Sequence, residues 1–360
     1  MNTPFDGMHC HFLIPGDLDT HTGGYTYDRH IIEELRALGW QVEVHGLGDG
    51  YPAPGADALA HAARVAEALP DGALAVVDGL AFGVLDELAH RHAQRLRWVA
   101  LVHHPLSLET GLDPDRQRAL HESERRALAA ARGVIVTSPF TARGLDAFGV
   151  SPSRVATVVP GTEPAPAAAG SGGEALSLLC VATLTPRKGH AVLIEALAGL
   201  QGHAWTLHCV GSMTMDAACA AALREAIDHH DLRDRIALHG DKPEGELAAF
   251  YAAADAFVLP SFHEGYGMAL AEALARGLPV ISTQAGAIPD TVPPEAGALA
   301  PPGDVVALRT ALRRLMEDTA WRAQLRTGAM AARLALPTWA QSGARFASAL
   351  ADVRQGLPAA

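Results

Sequence analysis

Two carboxylates, Glu264 and Glu272, stand eight residues apart in His263-Glu-Gly-Tyr-Gly-Met-Ala-Leu-Ala-Glu-Ala273, around the turn Gly265-Tyr266-Gly267. Eight residues of continuous helix set two carboxylates roughly 12 Å apart and about 80° out of phase. That separation is wrong for sharing one proton or one metal, and it suits gripping two ends of one ligand. The apolar run Ala256 to Pro260 reads as a buried strand, which places Glu264 in the following turn and Glu272 about a turn and a half into the next helix. Between them the amides of Gly265, Tyr266 and Gly267 open toward an anion at a helix start. The ligand so described is a diphosphate with hydroxyl-bearing groups at either end for carboxylates to accept from, as in a sugar nucleotide. The bland alternative is a helix-terminal acid followed by a solvated one.

A second motif weighs against that alternative. In Val181-Ala-Thr-Leu-Thr-Pro-Arg-Lys-Gly-His190 an apolar strand, Leu176 to Leu184, runs into a Pro-Arg-Lys-Gly turn and an amphipathic helix through Leu200. A phosphate at this junction meets Arg187 as a fork and Lys188 as a point charge, backed by a helix N-terminus. Of 28 basic residues only Lys188 and Lys242 are lysines, so a lysine here is a departure from the chain's habit.

The order strand, Arg-Lys-Gly, helix, followed about seventy-five residues later by Pro-Ser-x-x-Glu-Gly-x-Gly-x-x-x-x-Glu-Ala, resembles the retaining glycosyltransferases of family 4, the group 1 transferases with a Glu-x7-Glu motif. Pro260, Ser261, Glu264, Gly265, Gly267, Glu272 and Ala273 carry the resemblance, with Arg187 and Lys188 as the phosphate pair. It continues through Gly277-Leu-Pro-Val-Ile-Ser282 and Ala285-Gly-Ala-Ile-Pro-Asp290, where Asp290 replaces the family's usual Glu.

The resemblance implies an α/β chain of the GT-B type, two Rossmann-like doubly wound parallel-sheet domains facing a cleft. It implies transfer of a sugar from a nucleoside-diphosphate donor to a hydroxyl-bearing acceptor with retention of anomeric configuration, without a metal or other cofactor. Arg187, Lys188, Glu264 and His103 are then the catalytic candidates, and Gly23, Gly24, Tyr25, Gly265, Tyr266, Gly267 and Glu272 the substrate-binding ones. A nucleotide-sugar epimerase or a phosphorylase on the same fold is the competing class, with a non-catalytic nucleotide-sugar-binding subunit as a third possibility.

The amino-terminal half is consistent with this. The strand Cys10 to Pro15 precedes a glycine loop, Thr22-Gly-Gly-Tyr-Thr-Tyr-Asp-Arg29, and a helix with apolar Ile31, Ile32, Leu35 and Leu38. Glycines after a first strand let backbone approach a ligand. By resemblance this loop faces the donor diphosphate, and Tyr25, Tyr27 and Arg29 border the acceptor pocket, with packing an equal reading for the tyrosines. The strand Trp98 to Val102 ends in His103-His104, at the carboxyl edge where ligands of parallel sheets collect. Adjacent residues of a strand point to opposite faces, so one ring enters the site. The resemblance favours His103 as a donor-sugar contact.

A chain of 360 residues exceeds a single core and predicts two domains. Strands are expected near 9–15, 41–47, 74–80, 98–103, 133–138 and 155–159, then near 176–184, 205–211, 236–240, 256–260 and 279–282. The boundary lies in the Pro- and Gly-rich stretch 160–173, giving an acceptor domain over 1–160 and a donor domain over 161–336. A last helix over 337–360, marked by Pro337, Trp339, Phe346 and Leu350, is expected by resemblance to cross back to the first domain.

The formal charge of −12 argues against a nucleic-acid partner. No apolar stretch reaches membrane-spanning length and no amino-terminal leader pattern appears, so a cytoplasmic protein is expected. Cysteines 10, 180, 209 and 219 lack paired metal spacing and read as reduced thiols. Asp17-Leu-Asp19 and Asp113-Pro-Asp115 sit in turn-like stretches, His9-Cys-His11, His90-Arg-His92 and His229-His230 are metal-like only by count, and Glu122-Ser-Glu124 reads as a solvated helix face.

Overall fold

A computed structural model describes residues 7–20, 22–109 and 111–357. The chain divides into two compact units, Met1–Gly161 with Pro337–Ala360, and Thr162–Leu336.

The first unit is built on β1 (His9–Ile14), β2 (Gln41–Gly46), β3 (Leu74–Asp78), β4 (Arg97–Val102), β5 (Gly133–Val136) and β6 (Val155–Thr157), ordered β2-β1-β3-β4-β5-β6. All neighbours pair in parallel. The second unit repeats the scheme with β7 (Leu176–Val181), β8 (Trp205–Val210), β9 (Ile236–Leu238), β10 (Ala256–Leu259), β11 (Val280–Thr283) and β12 (Gly297–Ala300), ordered β12-β11-β10-β7-β8-β9, again parallel throughout. Strands such as Leu74-Ala-Val-Val-Asp78 and Ala256-Phe-Val-Leu259 are buried on both faces because helices cover both sides of a doubly wound sheet. The order reverses between β1 and β3 in one sheet and between β7 and β10 in the other. Chains leaving the carboxyl ends there diverge and open a crevice, the usual ligand site of such sheets.

Several expectations needed correction. Most of the expected strands end one to three residues early, since their last residues already turn into the ligand-edge loops. The strand β12 was not foreseen, its Gly-Ala-Leu-Ala sequence having little β preference. Gly23 and Gly24 form the first turn of a helix, Gly23–Ala37, instead of a loop, because Thr22 caps it by accepting from the Tyr25 amide. Asp113 is likewise an N-cap, and Asp115 lies in the first helical turn. Glu124 is 1% exposed and accepts from the Leu106 amide at 3.0 Å, so it is no solvated acid.

The last helix, Trp339–Gln355, begins in a capping box between Thr338 and Gln341 and packs on the first unit. Phe346 stacks on Phe12 with centroids 6.0 Å apart, Trp339 on His30 at 4.2 Å, and Ser342 donates to the Val159 carbonyl at 2.8 Å. Among the described residues no helix is long and apolar enough to cross a membrane.

Candidate functional site

In the second unit the carboxyl ends of β7 and β10 bring three of the expected residues together. Lys188 Nζ donates to Glu264 Oε1 at 2.7 Å, and Arg187 Nη1 lies 3.8 Å from Glu264 Oε2. Ser261 also donates to Glu264 Oε1, at 2.6 Å, and Arg187 donates to the His263 carbonyl at 2.9 Å. The side chain of Glu264 is 8% exposed, against 17% for Lys188 and 24% for Arg187, so the cations keep a wet side and the carboxylate does not. Burial alone would push the Glu264 carboxyl up. The charges of Lys188 and Arg187 and the bonds from Lys188 and Ser261 outweigh it and hold the group below the usual carboxylate range.

Local backbone fixes this arrangement. Pro186–Lys188 is a single 3₁₀ turn closed by Gly189 at φ +72°, where a Cβ would overlap the Pro260 carbonyl. The Phe262 amide donates to the Arg187 carbonyl at 2.7 Å, tying the two loops edge to edge. Gly286, at φ +57°, packs on the Glu264 backbone, whose carbonyl accepts from Ala287 at 2.8 Å. The Ala285-to-Asp290 stretch therefore clamps the turn that carries Glu264.

Glu272 sits on the helix Met268–Ala275, which starts at Gly267 with φ +89°. Tyr251 donates to Glu272 Oε2 at 2.9 Å, and Arg276 stacks over the Tyr251 ring at 4.2 Å. Burial pushes the Glu272 carboxyl up, opposed by the Tyr251 bond and the Arg276 charge. Gly265 and Tyr266 lie in the intervening turn, where the Tyr266 carbonyl accepts from Thr291 at 2.6 Å and burial pushes the Tyr266 phenol up to about 12.

In the first unit a second group forms at the β1/β3 reversal. His103 Nε2 lies 3.3 Å from Asp28 Oδ1 and 3.3 Å from Asp78 Oδ2, one nitrogen between two buried carboxylates. Burial opposes charge on the ring, but the contacts with Asp28 and Asp78 dominate and raise His103 well above the usual imidazole range. Gly24 lies against His103, since a Cβ there would stand 3.4 Å from the ring. His104 turns to Glu109, at 3.2 Å. Tyr25 donates to the Pro15 carbonyl at 2.7 Å and Gly23 opens the helix beside it. Tyr27 is core: it donates to the Val158 carbonyl at 2.9 Å and packs edge-on to His103. Arg29 staples the Leu18 and Thr20 carbonyls.

Sequence reasoning missed Asp28 and Asp78, and it gave Ser261 and Tyr251 no role. Asp28 lies one residue from a named tyrosine and Asp78 ends a buried strand, and an acid in either place was the available signal.

Residues 163–331 match the family model described as glycosyl transferases group 1. Among curated proteins the chain is similar to the amylovoran biosynthesis glycosyltransferase AmsK of Erwinia amylovora, 39% identical over 154 residues, 40% of this chain and 37% of that protein. The match thus spans well under two thirds of that relative's length. Among solved structures it is similar to sucrose-phosphate synthase from Thermosynechococcus elongatus, with TM-score 0.80 and 22% identity over 94% of this chain and 98% of that one. Anabaena HepE in complex with UDP and glucose gives TM-score 0.74 and 18% identity over 94% and 99%. These likenesses establish the GT-B fold.

Proposed function

From the match of residues 163–331 to the glycosyl transferases group 1 model, we propose that the protein is a retaining glycosyltransferase that moves a sugar from a nucleoside-diphosphate donor to a hydroxyl of a soluble metabolite or glycan. The observation that carries this reading is the meeting of Lys188 and Arg187 on one carboxylate, Glu264, at the reversal point of the second sheet. A diphosphate there meets Arg187 as a fork and Lys188 as a point charge.

The donor diphosphate takes Arg187 and Lys188, with the amides of Gly265, Tyr266 and Gly267 at the helix start. Glu264, released from the cations, accepts from sugar hydroxyls. Glu272, held by Tyr251, accepts from the ribose. In the first unit His103, between Asp28 and Asp78, and Tyr25 are the polar groups offered at the reversal point of its sheet. The bond from the anomeric carbon to the β-phosphate oxygen breaks, and its electron pair stays on that oxygen, where Arg187 and Lys188 stabilise it. The acceptor oxygen bonds the anomeric carbon on the face the phosphate leaves, and its proton passes to the departing phosphate. The two cations supply the charge that a divalent metal would otherwise bring, so turnover persists in a chelator. In this reading residues 1–160 bind the acceptor and residues 161–336 the donor.

The test is an incubation with nucleoside-diphosphate sugars and a panel of hydroxyl acceptors, following nucleoside diphosphate release and the anomeric configuration of the product by NMR. Transfer with the donor's configuration is expected. Inversion would overturn retention, and an epimerised donor with no transferred sugar would favour the epimerase class.

A further inference from the structure

The sequence offers His9-Cys-His11 as two histidines without further ligands, and folding supplies the rest. Strand β2 is an edge strand, and its pairing with β1 sets His11 opposite Glu43 and Leu13 opposite His45. Because side chains alternate along a strand, His9 and His11 share one face of β1, and Glu43 and His45 share one face of β2. The four polar ends converge. His9 Nε2 is 3.0 Å from Glu43 Oε1, His11 Nδ1 is 3.5 Å from Glu43 Oε2 and 3.0 Å from His45 Nε2, and His45 Nε2 is 3.8 Å from Glu43 Oε2. Donor atoms of His9, His11 and Glu43 all lie within 4.8 Å of one another.

We propose that His9, His11, Glu43 and His45 form a binding site for a divalent transition-metal ion of the zinc class, clamping the edge strand β2 to β1. Three imidazoles and a carboxylate are the donor set of such ions, and a tetrahedral ion with metal–ligand bonds of about 2.0–2.1 Å keeps its donors about 3.3 Å apart. The four spacings above straddle that value; His45 stands outside the tighter group of His9, His11 and Glu43, so its ring turns further than the others to complete the set. His9 Nε2 is shielded from solvent and, although close to Glu43, is not aligned to hydrogen-bond with it; a metal gives that nitrogen a partner. Burial, the largest influence on both rings, holds His11 and His45 below the usual imidazole range. Access is provided by the exposed rim, His9 at 38% and Glu43 at 58%, while His11 at 5% forms the floor. The site lies toward the amino ends of β1 and β2, and three residues of strand, about 10 Å, separate His11 from the ligand edge at Ile14. The ion is therefore a brace, independent of the transfer chemistry.

The experiment uses the full chain without a histidine tag, stripped with a chelator and titrated with Co²⁺ and then Zn²⁺. One equivalent of Co²⁺ is expected to give the visible absorption of a tetrahedral nitrogen-and-oxygen site, and Zn²⁺ to raise Tm by several degrees. The double variant His9→Asn with Glu43→Gln, both at partly exposed positions and checked for folding by circular dichroism, should bind at least tenfold more weakly. His208→Asn, which breaks the histidine pair of His208 Nδ1 and His239 Nε2 at 3.0 Å in the second unit, should leave binding unchanged. Absence of the cobalt absorption, equal binding by the double variant, or loss of binding in His208→Asn alone would each overturn the proposal. A thiolate-to-cobalt charge-transfer band would do the same by moving the ion to the buried group Cys180, His190 and Cys209.

Discussion

Lys188 is one of two lysines in the chain, and its ammonium fits a single oxygen of Glu264. An arginine there would bring a longer planar fork to a point contact, so Lys188→Arg is expected to lower kcat/KM at least tenfold, close to Lys188→Ala. Glu264→Gln leaves two cations facing each other, and we expect it to lose about 1–3 kcal/mol of stability at pH 7 by denaturant unfolding. Since the Glu264 carboxyl is held low, that difference should be present above its unfolded pKa, about 4.3, and shrink as pH falls below it. His103 has the opposite sign. Its folded pKa is raised, so its contribution is complete below the unfolded value of about 6.5 and is lost as pH rises toward about 10. Melting curves of wild type and His103→Gln should therefore converge between those limits, and a gap that widened with pH would contradict the raised pKa. The residue types of this chemistry were legible in the sequence because Arg-Lys-Gly and Glu-x7-Glu are local. The partners were not: Asp78 meets His103 only after β3 and β4 pair, and Ser261 meets Glu264 only in the folded turn.

Turns and helix starts hold these groups, and they are where reading and structure part. Gly189 and Gly286 were named only as motif letters, yet each occupies a positive φ and lies against backbone of the Pro260–Glu264 segment. Gly189→Ala is expected to cost about 1–3 kcal/mol through strain and overlap with Pro260, together with loss of nucleotide binding, since the Arg187-Lys188 turn must move. Glu124 tests the helix after His103. Burial pushes its carboxyl up to about 8, so the stability of wild type falls as pH rises from about 4.3 to 8. The neutral isostere Glu124→Gln escapes that loss and should melt at or above wild type at pH 9. Periodicity located eleven of the twelve described strands, because buried apolar runs bounded by Gly and Pro are strong signals, and it missed Gly297–Ala300, whose small residues carry none.

Each unit has its own sheet and its own buried core, and the last helix belongs to the first. Phe346→Ala should thus cost about 3–5 kcal/mol in the unfolding of the first unit, and residues 162–336 expressed alone should fold. The division into two α/β units follows from length and the Pro-Gly stretch. The seat of the final helix was expected only by resemblance, because it depends on Phe346 finding Phe12 more than three hundred residues earlier in the sequence. The claim on which the function rests is that the second unit binds a nucleoside diphosphate through Lys188 and Glu272. The direct measurement is thermal stabilisation of the full chain by a panel of nucleoside diphosphates and their sugars, for wild type, Lys188→Ala and Glu272→Ala. A selective rise in Tm for one nucleotide, lost in both folded variants, is expected. No shift with any nucleotide, or the same shift in the variants as in wild type, would contradict it.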